Sequence, residues 1–225
     1  MSERENILTR VREALTVSTP KPGAKQPGKA ASATRDFRSL LPAVGATYEE
    51  QLALFRANSA DLKTDFYCVK DVEAVKAQLA SWRDSEKWRR IASHAGSLTE
   101  AVSSSLGLPV CRTDAAYSTV ELEASDIGLT ECDALIAQTG SVLITNRSAG
   151  GRALSVLPPH HIVLARRNQL VSGLPEAFQL IKEKYGSNYP SMISFITGPS
   201  RTGDIERILV LGAHGPKKLT LFLLE

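Results

Sequence analysis

The 225 residues suffice for one large domain, or for a domain with an appended arm, and 43% hydrophobic with 23% charged content is ordinary for a folded chain. A formal net charge of +3 gives no general case for nucleic acid, which calls for a concentrated basic face. Most of that charge sits at one end: residues 1–46 hold eight Lys/Arg against four Asp/Glu, and the other 179 hold 19 against 20.

From Ser2 to Leu15 the pattern predicts a short helix, with Ser2 and Glu5 at capping-box spacing and Ile7, Leu8, Val11 and Leu15 on one face. The stretch that follows, TVSTPKPGAKQPGKAASATRD, is too poor in large apolar groups to order itself and reads as a flexible tether. Residues 1–46 are therefore an N-terminal helix and tether, and residues 47–225 a single domain. The helix is expected to dock on the body or on a partner subunit.

Thr47 to Lys63 is a second capped helix, with Thr47 and Glu50 as its box. Asp65–Val69 reads as a strand, Asp71 to Trp82 as a helix capped by Asp71, and Arg90–His94 as a strand. Ser97 and Glu100 open another helix, and Pro109–Cys111 returns to extended chain. This alternation predicts an open, mostly parallel α/β sheet with helices on both faces.

Beyond Asp126 short apolar runs follow one another: Cys132–Gln138, Ser141–Thr145, Leu154–Leu157, His161–Ala165 and Met192–Ile196. One amphipathic helix, Leu174–Tyr185, interrupts them, and Lys218–Leu224 is a closing strand. Added antiparallel strands in the C-terminal half are the expectation.

Cys68, Cys111 and Cys132 are distant from one another and form no CxxC pair, so no cofactor is expected on this chain, neither an iron–sulfur cluster nor zinc. Reduced thiols and the lack of any run near the length of a membrane helix point to the cytoplasm. No GxGxxG or GxxxxGK[ST] is present, and Ser200 lacks a nucleophile elbow.

Three strand-end turns are the candidate site: Gln138-Thr139-Gly140-Ser141, Leu157-Pro158-Pro159-His160-His161, and the stretch Phe195–Leu219. In the last, Thr197, Gly198, Ser200, Arg201 and Thr202 follow an apolar run and are expected to enter a helical turn. Its unpaired N–H groups and dipole would suit an anion, with Arg201 adding a planar charged fork. Asp204 lies three residues beyond Arg201, within reach on such a turn, and either pairs with it structurally or orients it toward a ligand. Ile208–Leu211 reads as a buried strand. His214, in a glycine-flanked loop, is the best-placed imidazole for proton chemistry, although a His that only holds its loop is an equal reading. His160 and His161 point to opposite faces of an extended chain, so a zinc site from His160, His214 and Asp204 can be drawn but is not demanded.

Four stretches, DALIAQTGSVLI (133–144), LPPHHIV (157–163), TGPSRTGDIE (197–206) and GAHGP (212–216), resemble the LUD-domain family, specifically its lactate utilization protein C (LutC/YkgG) branch. The resemblance covers roughly residues 47–225. It implies a fold of the NagB/RpiA/CoA-transferase-like type and a role in oxidising L-lactate to pyruvate beside partners that carry the iron–sulfur clusters. Many members of the family have Glu where this chain has Gln138, and Gln cannot serve as an acyl-transfer nucleophile.

The leading expectation is a subunit or accessory protein of a lactate-oxidising complex. It would bind a small carboxylate through Arg201, Ser200, Gly198, Thr197, Thr202, Gln138, Thr139, His160 and His161, with His214 and Asp204 as polar or catalytic partners. A stand-alone enzyme on a sugar phosphate or acyl-CoA-type substrate is the rival, and a purely structural scaffold the third reading. A homo-oligomer is left open.

Overall fold

The structure, a computed structural model, describes residues 3–16, 41–205, 208–212 and 214–225, with the backbone path alone for 202–205 and 208–211. Two compact units divide the chain, Met1–Leu40 and Leu41–Glu225. In the first, α1 (Glu3–Thr16) is a helix whose apolar stripe of Ile7, Leu8, Val11 and Leu15 is exposed. Its expected cap Ser2 and the expected tether lie outside the described residues.

The larger unit begins with extended chain before the expected helix start: Val44 packs into the core, and the Pro42 carbonyl accepts a hydrogen bond from Gln138. Thr47 then caps α2 (Tyr48–Asp61) through the expected reciprocal box, its hydroxyl accepting the Glu50 N–H while Glu50 accepts the Thr47 N–H. The next elements are β1 (Asp65–Val69), α3 (Val72–Glu86), β2 (Ile91–Ser93), α4 (Ser97–Ser105), β3 (Val110–Arg112) and the short α5 (Thr119–Glu123). They lead into β4 (Ile127–Glu131), β5 (Ala134–Ile136), β6 (Ser141–Thr145), β7 (His160–Arg166) and the two-residue β8 (Leu170–Val171). The remainder comprises α6 (Leu174–Tyr185), β9 (Ile193–Ile196), β10 (Arg201–Ile205), β11 (Ile208–Leu211) and β12 (Lys218–Leu224).

Six strands form one wholly parallel sheet in the order β1-β12-β7-β4-β2-β3. The strand read as closing, β12, therefore lies in the interior, with Thr220 beside both Asp65 and Ile162. A second sheet, β8-β5-β6-β9, carries the antiparallel pairs, and β10–β11 is a separate antiparallel hairpin.

Alternation along the strands builds the layers. Ile162 and Leu164 of β7, with Phe222 and Leu224 of β12, pack under α3 and α4 against Val75, Leu79, Val102 and Leu106. Their neighbours Val163, Ala165, Leu219, Leu221 and Leu223 pack on the opposite face against Phe55 of α2 and Leu135, Val142 and Ile144 of the second sheet. That sheet's far side, Ala134, Ile136 and Leu143, is covered by Ala177 and Ile181 of α6. Runs buried on both faces read as continuous apolar segments, which is why β7 and β12 were visible in the sequence.

Four local expectations are corrected. The run at Leu154–Leu157 is no strand; Ala153–Ser155 is a turn of 3-10 helix, and the Leu154 carbonyl lies over Gly128 where a Cβ would sit only 2.3 Å away. Strand β4, unread in the sequence, occupies a central sheet position. Helix α4 is not capped by Ser97; its first N–H groups are met by Thr99, which accepts the Gly96 N–H at 3.0 Å, and by Glu131, which accepts the Leu98 N–H at 2.8 Å. Finally, Arg201 opens a strand rather than a helical turn, because its backbone finds a partner strand at Ile208–Leu211, with a register shift between Thr202 and Ile205.

Candidate functional site

The three sequence-predicted turns do converge. Ser141 and Thr197 share a hydroxyl hydrogen bond of 2.8 Å, joining the first turn to the third. Within the third, the Ser200 N–H donates to Pro216 O and the Gly212 N–H to Ser200 O, both at 2.9 Å. The Lys217 N–H donates to Pro159 O at 2.8 Å, which ties the loop of His214 to the turn before β7. The contact between Lys217 and Pro159 falls at the amino ends of β7 and β12.

The chemistry expected of those turns is altered by what the backbone does. No helix follows Thr197–Arg201, so no helix dipole backs the turn, and the Ser200 N–H is already committed to Pro216. The helical spacing that would pair Asp204 with Arg201 is likewise gone; the side chains of Asp204 and Thr202 lie outside the described residues. Arg201 and His214 are exposed. Gly198 has φ of +89°, and a Cβ there would meet the Arg201 guanidinium at 2.9 Å and Leu62 O at 2.9 Å, so this tight turn needs glycine.

His160 and His161 are not part of an open cradle. Each is buried within the sheet, His160 with Nε2 on Thr220 Oγ1 at 2.8 Å and His161 with Nε2 on Thr130 Oγ1 at 2.9 Å. Trp82 and Trp88 flank the His160 ring. Burial pushes both imidazoles down to about 3, with Lys218 and the neighbouring His161 adding to the effect on His160, so both are neutral near pH 7. Their Nδ1 atoms are buried without a partner among the described residues. Gln138 donates to Pro42 O at 2.9 Å, and its neighbour Thr139 has a buried hydroxyl with no partner among the described residues.

A second site, which the sequence reading missed, opens at the carboxyl ends of the parallel strands. A cleft of about 570 Å³ is lined by Tyr48, Leu98, Arg166, Arg167, Asn168, Leu170, Leu224 and Glu225. Open parallel sheets characteristically bind ligands at this edge. The elements that place these groups are the ends of β7 and β12 and the starts of α2 and α4.

Arg166 ends β7 and is fixed by two hydrogen bonds, Nη1 to Glu131 Oε2 at 3.3 Å and Nη2 to Ser97 Oγ at 2.7 Å. A guanidinium has five N–H donors, so three remain. Glu131 ends the adjacent β4 and bridges Arg166 to the amino end of α4 through Leu98 N–H. Its seat requires a residue without a side chain at Gly96, where a Cβ would lie 2.4 Å from Glu131 Oε1. His94, buried beneath, accepts the Glu131 N–H on Nε2 at 3.2 Å; burial lowers its pKa, partly offset by Glu131 and Asp114.

Arg167 lies over the Tyr48 ring at 3.7 Å and faces Glu49 at 3.8 Å. The Tyr48 hydroxyl is buried and has no partner among the described residues, and burial raises its pKa. Cys68 donates its thiol to Glu225 Oε1 at 3.1 Å; burial first, and then Glu225, pushes it up to about 11, which leaves it unsuited to nucleophilic work. The sequence signal for this site was the tandem Arg166-Arg167 directly after a strongly apolar strand, and it becomes legible only once β7 is known to be central.

The comparisons with known proteins agree with this architecture. A family model described as the LUD domain matches residues 52–224. A lactate utilization protein C from Anoxybacillus flavithermus is 39% identical over 102 residues, 45% of this chain and 45% of that protein. Proteins of the same name from Shouchella clausii and Deinococcus radiodurans are 34% identical over 113 residues and 33% identical over 119, covering 49% and 55% of their lengths. The matched stretches thus span about half the length of these curated relatives. The crystal structure of a DUF162 family protein from Deinococcus radiodurans at 1.70 Å resolution shares the fold, with a TM-score of 0.61 at 23% identity, over 80% of this chain and 100% of that one.

Proposed function

The chain belongs to the LUD-domain family, and on that premise we propose that it serves in L-lactate utilization, binding a small 2-hydroxy or 2-oxo carboxylate at the carboxyl edge of its parallel sheet. The relatives named lactate utilization protein C support the pathway. The observation that carries the site is the tandem Arg166-Arg167 at the end of a central strand, opening on a cleft with aromatic and aliphatic walls. Arg167 provides the charged fork, and Arg166 retains donors beyond those holding Glu131 and Ser97. A 2-hydroxy acid also carries a hydroxyl donor, for which Glu225 is an acceptor on the same wall.

In this reading lactate oxidation to pyruvate releases two electrons and two protons; the electrons pass to iron–sulfur partner proteins and the protons to solvent. The partners are those that the family resemblance implies, and the spacing of Cys68, Cys111 and Cys132, which supplies no cluster motif, is compatible with them. We place the protein in the cytoplasm, a reading that the three free cysteines support; no helix among the described residues is long and apolar enough to cross a membrane.

The hydrogen bonds that link the three predicted turns support a second anion site at Thr197, Gly198, Ser200 and Arg201. Calorimetric titration with L-lactate and pyruvate distinguishes the two. Loss of a charge-assisted contact in Arg167→Ala is expected to weaken binding by about tenfold or more, with Arg201→Ala unchanged. The reverse pattern moves the site to the turns, and absence of binding to either acid refutes both.

A further inference from the structure

We infer that the carboxyl-edge cleft is shaped for a 2-hydroxy acid whose apolar tail is longer than the methyl group of lactate. The inference rests on the carboxylate-binding reading above and concerns what else the same cleft admits. The cleft is open to solvent, and its volume of about 570 Å³ lies within the range of roughly 300–1,000 Å³ found for ligand sites. Lactate would occupy only the charged end of such a space.

The walls divide by chemistry. Leu98, Leu170 and Leu224 retain 8–9% exposure, and together with the Tyr48 ring they form the apolar part of the lining. Arg166, Arg167, Asn168 and Glu225 form the polar part. An acid with an aliphatic or aromatic tail matches both, because its carboxylate meets the guanidinium groups while the tail removes leucine surface from water.

Charge then narrows the headgroup. Two guanidinium groups stand among three carboxylates: Glu225 in the lining, Glu131 bound to Arg166, and Glu49 at 3.8 Å from Arg167. The carboxylates outnumber the guanidinium groups by one, so a monoanion seated on the remaining guanidinium donors meets less repulsion than a phosphate dianion or a pyrophosphate would. Glu225 is at the same time the acceptor that a 2-hydroxyl group needs. The cleft is therefore better matched to a long 2-hydroxy acid than to a sugar phosphate or an acyl-CoA thioester.

The test is a homologous series on the full chain: L-lactate, 2-hydroxybutyrate, 2-hydroxyhexanoate and 2-hydroxyoctanoate, with inorganic phosphate and AMP as controls, titrated by calorimetry. Each buried methylene is expected to tighten binding about fourfold until the cleft is filled. Arg167→Ala should weaken every acid by a common factor and leave the gain per methylene intact. If lactate binds with dependence on Arg167 but the series is flat, the inference fails and the carboxylate reading survives. If no acid of any length binds, the carboxylate reading fails and takes this inference with it. Tighter binding of phosphate or AMP than of 2-hydroxyoctanoate overturns the charge argument.

Discussion

Acidification from about pH 7 to about pH 5 is expected to remove about 4 kcal/mol of folding stability through His160 and His161 alone. Both are buried in the parallel sheet and titrate at about 3, against 6.5 for an unperturbed imidazole. Between those values the unfolded chain binds protons that the folded chain refuses, so stability falls as pH falls. The stabilisation is fully present above 6.5 and is lost progressively toward 3. At about pH 5 the solution lies roughly 1.5 units below the unfolded value of each histidine, worth about 2 kcal/mol apiece at about 1.4 kcal/mol per unit. His94, also lowered by burial, acts in the same direction. The assay is urea denaturation at a series of pH values, read as the slope of unfolding free energy against pH. His160→Gln and His161→Gln are each expected to reduce that slope by about 1.4 kcal/mol per pH unit near pH 5, whatever they do to absolute stability. A double variant with the slope of the parent would refute the reasoning, as would NMR signals assigned to the His160 and His161 imidazoles that titrate near pH 6 in the folded protein.

Gly140→Ala should destabilise by about 2 kcal/mol or more, since φ is +64° and the new Cβ would lie 2.8 Å from Asn58 Cβ. Gly107→Ala, at φ of +63° with nothing within 4 Å, should cost only about 1 kcal/mol, and thermal denaturation of the pair separates backbone strain from collision. Lys184→Met should cost about 3 kcal/mol in chemical denaturation, because it strips the ammonium group at 2.6 Å from the fully buried Asp133 carboxylate and leaves that charge to hydroxyl donors such as Tyr185.

Local chemistry made much of the fold legible. Thr47 with Glu50, and Asp71 with Ala74 N–H, form the caps that residue type and spacing announced. The apolar runs of β7 and β12 told of strands buried on both faces. What stayed hidden depended on partners distant in sequence. Arg201–Ile205 carries turn-like composition and becomes a strand only because Ile208–Leu211 folds back on it. Strand β4 reads weakly, since Gly128 is present for the close approach of the Leu154 carbonyl rather than for strand propensity. At the candidate site the histidines attracted attention by type, but their burial depends on Thr130, Thr220 and two tryptophans from elsewhere in the chain. Arg166, Arg167 and Glu131 are common surface residues in the sequence, and only the strand order brings them to one edge.

The interior position of β12 has a consequence for how the protein comes into being. Thr220 pairs with Asp65 and Ile162, so a strand late in the chain bonds to one made very much earlier. While residues 218–224 are still to be synthesised, β1 and β7 each present an unpaired row of backbone N–H and C=O groups. The parallel sheet thus cannot close progressively behind the ribosome; β1 must wait for a distant partner, and contacts of such long range form slowly. Until residues 218–224 are made, those two open edges are available to any other extended chain.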